Sequence, residues 1–409
     1  MRHSPARVVI TGMGVICSLG TNVADTWSSL AQGKPAIGPI QLLDTSKLRF
    51  QNGAEVRGFV PEQHFTPEKL DLLDRFAQFA LVAARQAIAD SGLNITPELA
   101  GKIAIVTGSC IGGQATSDAG FVSVYQKNLN RVHPLTIPKT MANAGASHIS
   151  MEFGITGPAY TISTACSSAN HAMGQAFWMV RSGQVQAAIT GGSETPFSFG
   201  LLKAWEAMRV VSTDTCRPFS KDRKGLILGE GAAMLVLEPM ETAVERGAKI
   251  YGEIVGFGMS SDAGHITSPT FAGPAAAMRG ALSDAQISLE QISYVNAHGT
   301  GTAGNDQTET RAIREVFGSH ADRLAVSSTK SMHGHALGAA GGIEAVATVM
   351  AMRESIIPPT ANYTTPDPQC DLDIVPNQAR PAEIEFALSN SFAFGGLNAV
   401  LAFRRISKT

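Results

Sequence analysis

The sequence has no long apolar run and no excess of basic charge. No stretch of about 18 consecutive apolar residues occurs, so we expect no membrane-spanning helix. The formal net charge is −2 without a long basic run, which argues against a nucleic-acid-binding surface. This charge still leaves room for a local basic patch that binds an acidic protein. Charged residues make up 16% of the 409 residues and apolar residues 44%, so we expect a compact protein with two domains or two closely packed halves.

Paired cysteines are also lacking. The five cysteines are scattered, and no two of them form a C-x-x-C motif. This pattern argues against a disulfide framework or a zinc site and indicates reduced thiols in a cytoplasmic protein. The N-terminal residues superficially resemble a signal peptide, but Gly12 and Gly14 interrupt the apolar stretch and no clean cleavage site follows. We expect a buried first strand and a turn there instead.

Short apolar runs alternate with helical patterns along the whole chain. Runs such as KIAIVTG and VQAAITGG are apolar throughout and bounded by glycine, whereas DRFAQFALVAARQAIADSG has a helical pattern. Strands of this kind that alternate with helices predict an α/β protein with a sheet covered on both faces. The two halves of the chain, 1–252 and 253–409, have a similar rhythm without a strict sequence repeat. We therefore predict a duplication.

Cys166 lies where a strand is expected to become a helix, in the stretch STACSSANHAMGQA. The positive partial charge and the unpaired N–H groups of a helix N-terminus favour a thiolate, and small neighbours leave room for an acyl group. With an unperturbed pKa near 8.5, only about 3% of a thiol is ionised at pH 7. The alternative interpretation is a buried, inert cysteine.

His298 follows an expected strand in the stretch VNAHGTGTAGND. Gly299 and Gly301 permit tight backbone geometry, and Thr300 and Thr302 offer hydroxyl groups at the mouth of a site. Taken alone, His298 is equally compatible with a structural role.

A second histidine motif is SSTKSMHGHALGAAGGIEA. Lys330 and His335 lie between a strand and a helix of small residues, and Glu344 lies further along that helix. We interpret His333 as a polar loop residue rather than a ligand. His333 and His335 are only two residues apart, but no third ligand motif accompanies them, which argues against a metal site.

Phe392 and Phe394 alternate with small residues in SNSFAFGGLNAV, and two glycines follow. Phenylalanines beside glycines can form a movable flap over a pocket. On its own, the motif is more typical of core aromatics at the end of a strand.

Together these motifs resemble those of the β-ketoacyl-acyl carrier protein synthases, the elongating condensing enzymes of the thiolase fold. TACSS, NAHGTGT, STKSMHGH and SFAFGG carry the resemblance, which extends over nearly the whole chain. It implies a five-layer αβαβα fold of two duplicated halves, the first carrying the nucleophilic cysteine and the second both histidines. It also implies a homodimer without a cofactor or metal that condenses malonyl-acyl carrier protein with an acyl group held on Cys166.

The resemblance assigns roles to individual residues, motif by motif. Cys166 is the expected acyl-accepting nucleophile, His298 and His335 are the active-site histidines, and Lys330 and Glu344 are a supporting ion pair. Thr300 and Thr302 are expected to contact the phosphopantetheine arm. Phe392 and Phe394 are the two gate phenylalanines, and the N–H groups of Phe394 and Cys166 are expected to form an oxyanion hole.

Several positions depart from the family pattern or suggest specialisation. Ala393 stands where the family usually has glycine, which predicts a stiffer flap, and His333 stands where threonine is common. Ile111 is expected to face the end of the acyl chain across a dimer interface. Leu201 and Trp205 are expected either to reshape the acyl pocket or to pack in the dimer interface. The surrounding stretch resembles nodulation-type specialised ketosynthases.

An acyl- or malonyl-loaded acyl carrier protein is the partner implied by the resemblance. Arg209, together with Lys69 and Arg75, is the candidate docking surface for this acidic protein. One alternative is a non-catalytic subunit of the chain-length-factor type that pairs with a ketosynthase as a heterodimer. The intact cysteine and histidines argue against it. A dinucleotide-dependent oxidoreductase is a further alternative, but the glycine spacing of TGMGVICSLG does not match the required motif.

Overall fold

The computed structural model describes residues 5–406, which form an α/β protein. The strands are β1 (Val8–Cys17), β2 (Gly38–Pro39), β3 (Asn52–Gly53), β4 (Ile103–Gly108), β5 (Ala159–Ile162), β6 (Ala187–Glu194), β7 (Gly231–Pro239), β8 (Gly252–Ser261), β9 (Ile292–Asn296), β10 (Ala325–Ser327), β11 (Ile356–Ile357), β12 (Arg380–Pro381), β13 (Phe386–Ala393) and β14 (Leu397–Arg404).

The helices alternate with these strands. They are α1 (Val23–Ala31), α2 (Pro67–Leu70), α3 (Arg75–Ser91), α4 (Pro97–Ala100), α5 (Gln114–Phe121), α6 (Thr136–Thr140), α7 (Ala144–Phe153), α8 (Ser168–Arg181), α9 (Phe199–Met208), α10 (Met240–Glu245), α11 (Ala272–Ala285), α12 (Ala303–Phe317), α13 (Lys330–His333) and α14 (Ala340–Glu354). A π-helical segment follows α5 (Val122–Gln126), and short 3₁₀ segments occupy Pro61–Gln63, Leu289–Gln291, Gly318–Asp322 and Leu337–Ala339.

Ten strands form one sheet in the order β10-β9-β13-β14-β8-β1-β7-β6-β4-β5. The first set of strands, β1 and β4–β7, lies in the order β5-β4-β6-β7-β1 from the edge of the sheet to its centre. By position along the chain, this order is third, second, fourth, fifth, first. The strands β8–β10, β13 and β14 repeat this order with the same parallel and antiparallel pairings. The two sets meet where β1 pairs antiparallel with β8. A duplication accounts for this repetition, whereas the division between residues 252 and 253 stays a prediction.

The helices and the two strand sets form five layers. Helices α8 and α14 lie between the sets in one apolar core, and α14 is buried at almost every position. A helix that is apolar on all sides must lie inside a protein, which explains this central placement. Helices α3 and α7 cover the outer face of the first set, and α11 and α12 cover the outer face of the second. This arrangement is the αβαβα fold that the resemblance implied.

The turn predicted after the first strand is wrong, because β1 continues through both of its glycines. A Cβ atom at Gly12 would overlap the backbone oxygen of Ala87, and one at Gly14 would overlap that of Ala83. The two glycines therefore allow α3 to pack directly against the strand.

All five cysteines are free thiols. Within residues 5–406, no helix is long and apolar enough to cross a membrane.

Candidate active site

Cys166 lies in a tight turn between β5 and α8, as predicted. The preceding residue, Ala165, has a φ of +49°, which is strained for a residue with a Cβ. The hydroxyl of Ser168 stabilises the turn from inside, since it donates to the Ala165 carbonyl (2.6 Å) and accepts the Thr164 N–H (2.9 Å). Ser167 then occupies the N-cap position of α8. The turn thus presents the Cys166 thiol beside the start of a central helix.

The thiol of Cys166 is nearly buried and lies in an apolar cluster. Burial raises its pKa to about 12, although the charge of Lys330 acts to lower it. The expected lowering by the helix N-terminus is therefore outweighed by the loss of hydration. The resting group is a thiol, so a nearby base must take its proton when it reacts.

The structure brings both predicted histidines to this thiol. The Cys166 sulfur and one ring nitrogen from each of His298 and His335 lie within 4.8 Å of one another. The two imidazole rings are 5.3 Å apart at their centroids and inclined by 84°. Among residues 5–406, no hydrogen-bond partner exists for either ring nitrogen of His335 or for Nδ1 of His298. These buried nitrogens are therefore available to a substrate.

Both imidazoles are held in their neutral form. Burial lowers the pKa of His298 and of His335 well below the ordinary value, and the positive charge of Lys330 acts in the same direction. A neutral imidazole carries one N–H donor and one acceptor nitrogen. The pair can therefore accept a proton from the thiol or donate hydrogen bonds to an oxygen.

The backbone around His298 is fixed by Glu309, which the sequence analysis missed. The two oxygens of this carboxylate accept the N–H groups of His298 (2.8 Å) and Gly299 (2.7 Å). Asp306, one turn earlier on α12, accepts the N–H of Gly301 (3.2 Å). The sequence does contain a signal for this arrangement. Two acidic residues lie three positions apart at the start of a helix, directly after a glycine loop.

The backbone of His335 is fixed from the other half of the chain. Its N–H donates to the Ile227 carbonyl (2.7 Å), and its own carbonyl accepts the N–H of Gly229 (3.0 Å). These bonds join a segment before β7 to the histidine loop. The position of His335 relative to Cys166 therefore depends on contact between the two halves.

Lys330 and Glu344 form the predicted ion pair, and both side chains are fully buried. Burial raises the pKa of Glu344 to about 7 against the opposing effect of Lys330. The positive charge of Lys330 acts to lower the pKa values of Cys166, His298 and His335. The pair thus supplies a fixed electrostatic background for the three reactive groups.

A cavity of about 190 Å³ leads to these groups. Its wall includes the predicted Thr300, Thr302, Phe392, Phe394 and Trp205. Gly304, Asn305, Ala393, Gly396 and Asn398, which belong to the two motifs already described, also line the wall. The sequence analysis missed the remaining wall residues, which lie outside its motifs: Val210, Leu226, His265, Ile266, Thr267 and Pro269. A hydrogen bond from Gly395 to Ile266 (2.8 Å) connects the phenylalanine turn to the 265–269 segment.

The predicted pocket residues on α9 and after β4 have different placements. Leu201 is only partly buried and belongs neither to the cavity wall nor to the apolar cluster around Cys166. Leu202 is fully buried in that cluster, and Trp205 packs against it from three positions further along. The contacts of α9 therefore place Leu202 and Trp205, rather than Leu201, against the cluster around Cys166. Ile111 also packs against this cluster but does not line the cavity.

The interpretation of His333 as a polar loop residue is wrong. It is the last residue of α13, is 1% exposed, and pairs through Nε2 with the Thr329 hydroxyl (2.9 Å). Burial lowers its pKa to about 3. His333 is therefore a neutral core residue.

The basic residues proposed for docking differ in their availability. Arg75 donates two hydrogen bonds to the buried carboxylate of Glu230 (2.7 and 2.9 Å), so its charge is already paired. The Nζ atom of Lys69 lies 3.8 Å from a carboxylate oxygen of Glu152, so this charge is also paired. Arg209 is exposed at the end of α9. Only Arg209 remains as an exposed candidate from this set.

The thiol and the two imidazoles are also a donor set that suits a soft metal ion such as zinc. No other group of at least three histidine, cysteine or acidic side chains with metal-binding spacing occurs in the described part of the chain.

The chain is similar to known proteins over almost its whole length. Residues 6–243 match the family description "Beta-ketoacyl synthase, N-terminal domain", and residues 251–364 match "Beta-ketoacyl synthase, C-terminal domain". Nodulation protein E of Rhizobium sp. (strain N33) is 46% identical over 400 residues, which cover 98% of this chain and 99% of that protein. The 3-oxoacyl-(acyl-carrier-protein) synthase 2 of Synechocystis sp. is 44% identical over 407 residues, which cover 98% of both proteins.

Solved structures are similar over the same extent. The ishigamide ketosynthase/chain length factor has a TM-score of 0.94 at 36% identity and covers 98% of this chain and 100% of that chain. A beta-ketoacyl synthase from Burkholderia phymatum STM815 has a TM-score of 0.91 at 34% identity, with the same coverage. Since both family descriptions and the relatives extend over most of its length, the chain belongs to the beta-ketoacyl synthase family, whose members are acyl-transferring condensing enzymes.

Proposed function

We propose that this condensing enzyme holds an acyl group on Cys166 and extends it with malonyl-acyl carrier protein. The observation that carries the proposal is the approach of one thiol and two neutral imidazoles to within 4.8 Å at the end of a cavity. A thiol suits covalent acyl transfer, and neutral N–H donors suit stabilisation of a developing oxyanion.

In the first half-reaction, the Cys166 sulfur attacks the carbonyl carbon of an acyl thioester. The thiol proton passes to a neighbouring imidazole, and the tetrahedral oxyanion is stabilised by the backbone N–H groups of Cys166 and Phe394. The bond from carbon to the carrier sulfur then breaks, and the departing thiolate takes up the proton. The raised pKa of the free thiol makes this proton acceptor necessary.

In the second half-reaction, malonyl-acyl carrier protein loses carbon dioxide and becomes an enolate. His298 and His335 donate N–H bonds to the thioester oxygen that gains negative charge. The enolate carbon attacks the acyl carbonyl on Cys166, a carbon–carbon bond forms, and the bond to the Cys166 sulfur breaks. The released thiolate takes up one proton, which leaves a β-ketoacyl-acyl carrier protein and a free thiol.

The remaining predicted residues have supporting roles in this proposal. Lys330 and Glu344 tune the charge around the reacting groups. Thr300 and Thr302 offer hydroxyls to the phosphopantetheine arm, and their mutual hydrogen bond (2.9 Å) orients them in the cavity wall. Phe392 and Phe394 act as the gate.

We also propose that the enzyme is a dimer that receives acyl carrier protein near Arg209. One solved relative is described as a type II polyketide acyl-carrier protein in complex with its ketosynthase, and another as a ketosynthase in complex with its chain length factor. Exposed apolar side chains between β4 and α7, such as Phe121, Tyr125 and Ile137, and the edge strand β5 support a second subunit. A homodimer is the simpler proposal, with a related subunit as the alternative.

The free thiols support a reducing, cytoplasmic location. The repeated strand order supports two halves, 1–252 and 253–409, with the nucleophile in the first and both histidines in the second.

Intact-mass measurement tests the central proposal. The purified protein is incubated with a series of acyl-carrier-protein thioesters, from acetyl to palmitoyl, and then digested for peptide mapping. We expect a mass gain on the peptide that contains Cys166 and none in Cys166→Ala. If no thioester acylates Cys166 in the wild-type protein, the proposal is wrong.

A further inference from the structure

Glu194 is a fully buried carboxylate at the end of β6 that has no role in the steps above. It accepts four hydrogen bonds. Three come from the segment after β4, namely from the Ser109 hydroxyl (3.1 Å) and the N–H groups of Cys110 (2.5 Å) and Ile111 (3.3 Å). The fourth comes from the N–H of Gly338 (3.1 Å), which is 144 residues away. One side chain therefore joins two distant segments.

These two segments are pressed together at the point where Glu194 joins them. A Cβ atom at Gly338 would overlap the Cys110 backbone nitrogen and lie 2.5 Å from Oε2 of Glu194. The neighbouring Leu337 has a φ of +46°. The contact therefore leaves no room for a side chain, and both segments depend on the same carboxylate for their backbone hydrogen bonds.

The joined segments form part of the apolar cluster that surrounds the nucleophile. Cys110 and Ile111 on one side and Leu337 on the other belong to the cluster that contains Cys166. The negative charge of Glu194 acts to raise the pKa of both Cys110 and Cys166, which is consistent with its closeness to the thiols. An acyl group on Cys166 would enter among these side chains.

We propose that Glu194 is a positioning residue that fixes the wall of the acyl pocket and thereby determines which acyl chains the enzyme accepts. This inference rests on the proposed acylation of Cys166. A carboxylate is the side chain that can accept four bonds at this point, because its two oxygens offer about four acceptor positions and no donor. In Glu194→Gln, one oxygen is replaced by an NH₂ group that faces N–H donors, so the two segments lose part of their connection.

The test compares acylation rates of Cys166 for acetyl and for longer chains in the wild-type protein and in Glu194→Gln. We expect the ratio of long-chain to acetyl rates to change by about tenfold, the lower end of the discrimination that one methylene of misfit produces in an apolar pocket. The acetyl rate should change much less, since a short chain does not reach the wall. Glu238→Gln is the matched control, because Glu238 is a buried carboxylate at the far end of β7.

Two further variants test the same inference if Glu194→Gln fails to fold. Glu194→Asp keeps the charge and should retain more of the wild-type chain profile. Gly338→Ala forces the same two segments apart and should alter the profile without changing Glu194. Equal slowing of all chains, or an unchanged profile in every variant that folds, would overturn the inference. Absence of any acylation of Cys166 in the wild-type protein would instead contradict the proposed function.

Discussion

The ring of Phe394 stacks on the indole of Trp205, with centroids 6.2 Å apart and planes inclined by 29°. Both side chains line the cavity that leads to Cys166. Phe394 belongs to the turn between β13 and β14, where Gly395 and Gly396 both adopt a positive φ. Movement of this turn to admit an acyl chain would therefore break the stack.

The stack predicts a fluorescence signal for opening of the gate. We expect acylation of Cys166 to change tryptophan emission in the wild-type protein, because the environment of Trp205 changes when Phe394 moves. Trp205→Phe should abolish this change, whereas Trp178→Phe should retain it, since Trp178 lies on α8 and packs against Phe257 of β8. An equal change in Trp205→Phe would show that the signal does not arise from this contact and would contradict the prediction.

The two half-reactions should respond differently to loss of a histidine. In His298→Ala or His335→Ala, we expect malonyl decarboxylation to fall by about 10²–10³-fold, the usual effect of removing one donor to an oxyanion. Acylation of Cys166 should fall less, because the backbone donors and one imidazole remain. Decarboxylation is measured by release of labelled carbon dioxide and acylation by intact mass. An equal loss in both assays would contradict this division of roles.

The pH dependence of decarboxylation follows from the pKa values of the histidines. Because burial and Lys330 lower both pKa values well below 6.5, neither imidazole gains a proton as the pH falls through the usual histidine range. We therefore expect the histidines to cause no loss of rate between about pH 8 and about pH 5.5. Burial raises the pKa of Glu344 to about 7, so any change of rate that this carboxyl causes in the same range should disappear in Glu344→Gln. Circular dichroism at each pH would establish that the protein stays folded. A loss of rate with a midpoint near 6.5 that persists in Glu344→Gln would show that one imidazole is hydrated in solution.

The reactive residues could be predicted from the sequence because each belongs to a local motif. Cys166, His298 and His335 each follow or precede a strand among small residues, and this spacing is visible in a single stretch of chain. Their approach to one another follows from the order of strands in the sheet. The duplicated rhythm of strands and helices indicated that order only in outline.

The residues that support the site could not be predicted in the same way. Glu194 and Gly338 are 144 residues apart, and Arg75 and Glu230 are 155 residues apart, so neither contact leaves a local pattern. The raised pKa of Cys166 depends on burial that only the packed structure determines. Long-range contacts and desolvation therefore account for most of the differences between expectation and structure.

The buried pair of Lys330 and Glu344 predicts a large effect on stability when either partner is removed. Lys330→Met leaves a carboxylate inside the protein without its cation, and Glu344→Gln leaves the ammonium group without its anion, because both side chains are fully buried. We expect each single variant to lower the free energy of unfolding by about 3–5 kcal/mol.

The double variant Lys330→Met with Glu344→Leu removes both buried charges at once. It should recover much of the lost stability, since apolar replacement of a whole buried pair is often nearly neutral. Its decarboxylation rate should nevertheless stay low, because the positive charge of Lys330, which acts on Cys166 and both imidazoles, no longer stabilises the developing enolate. Denaturant unfolding and carbon dioxide release measure the two effects separately. If the double variant regained both stability and decarboxylation, the pair would be structural only.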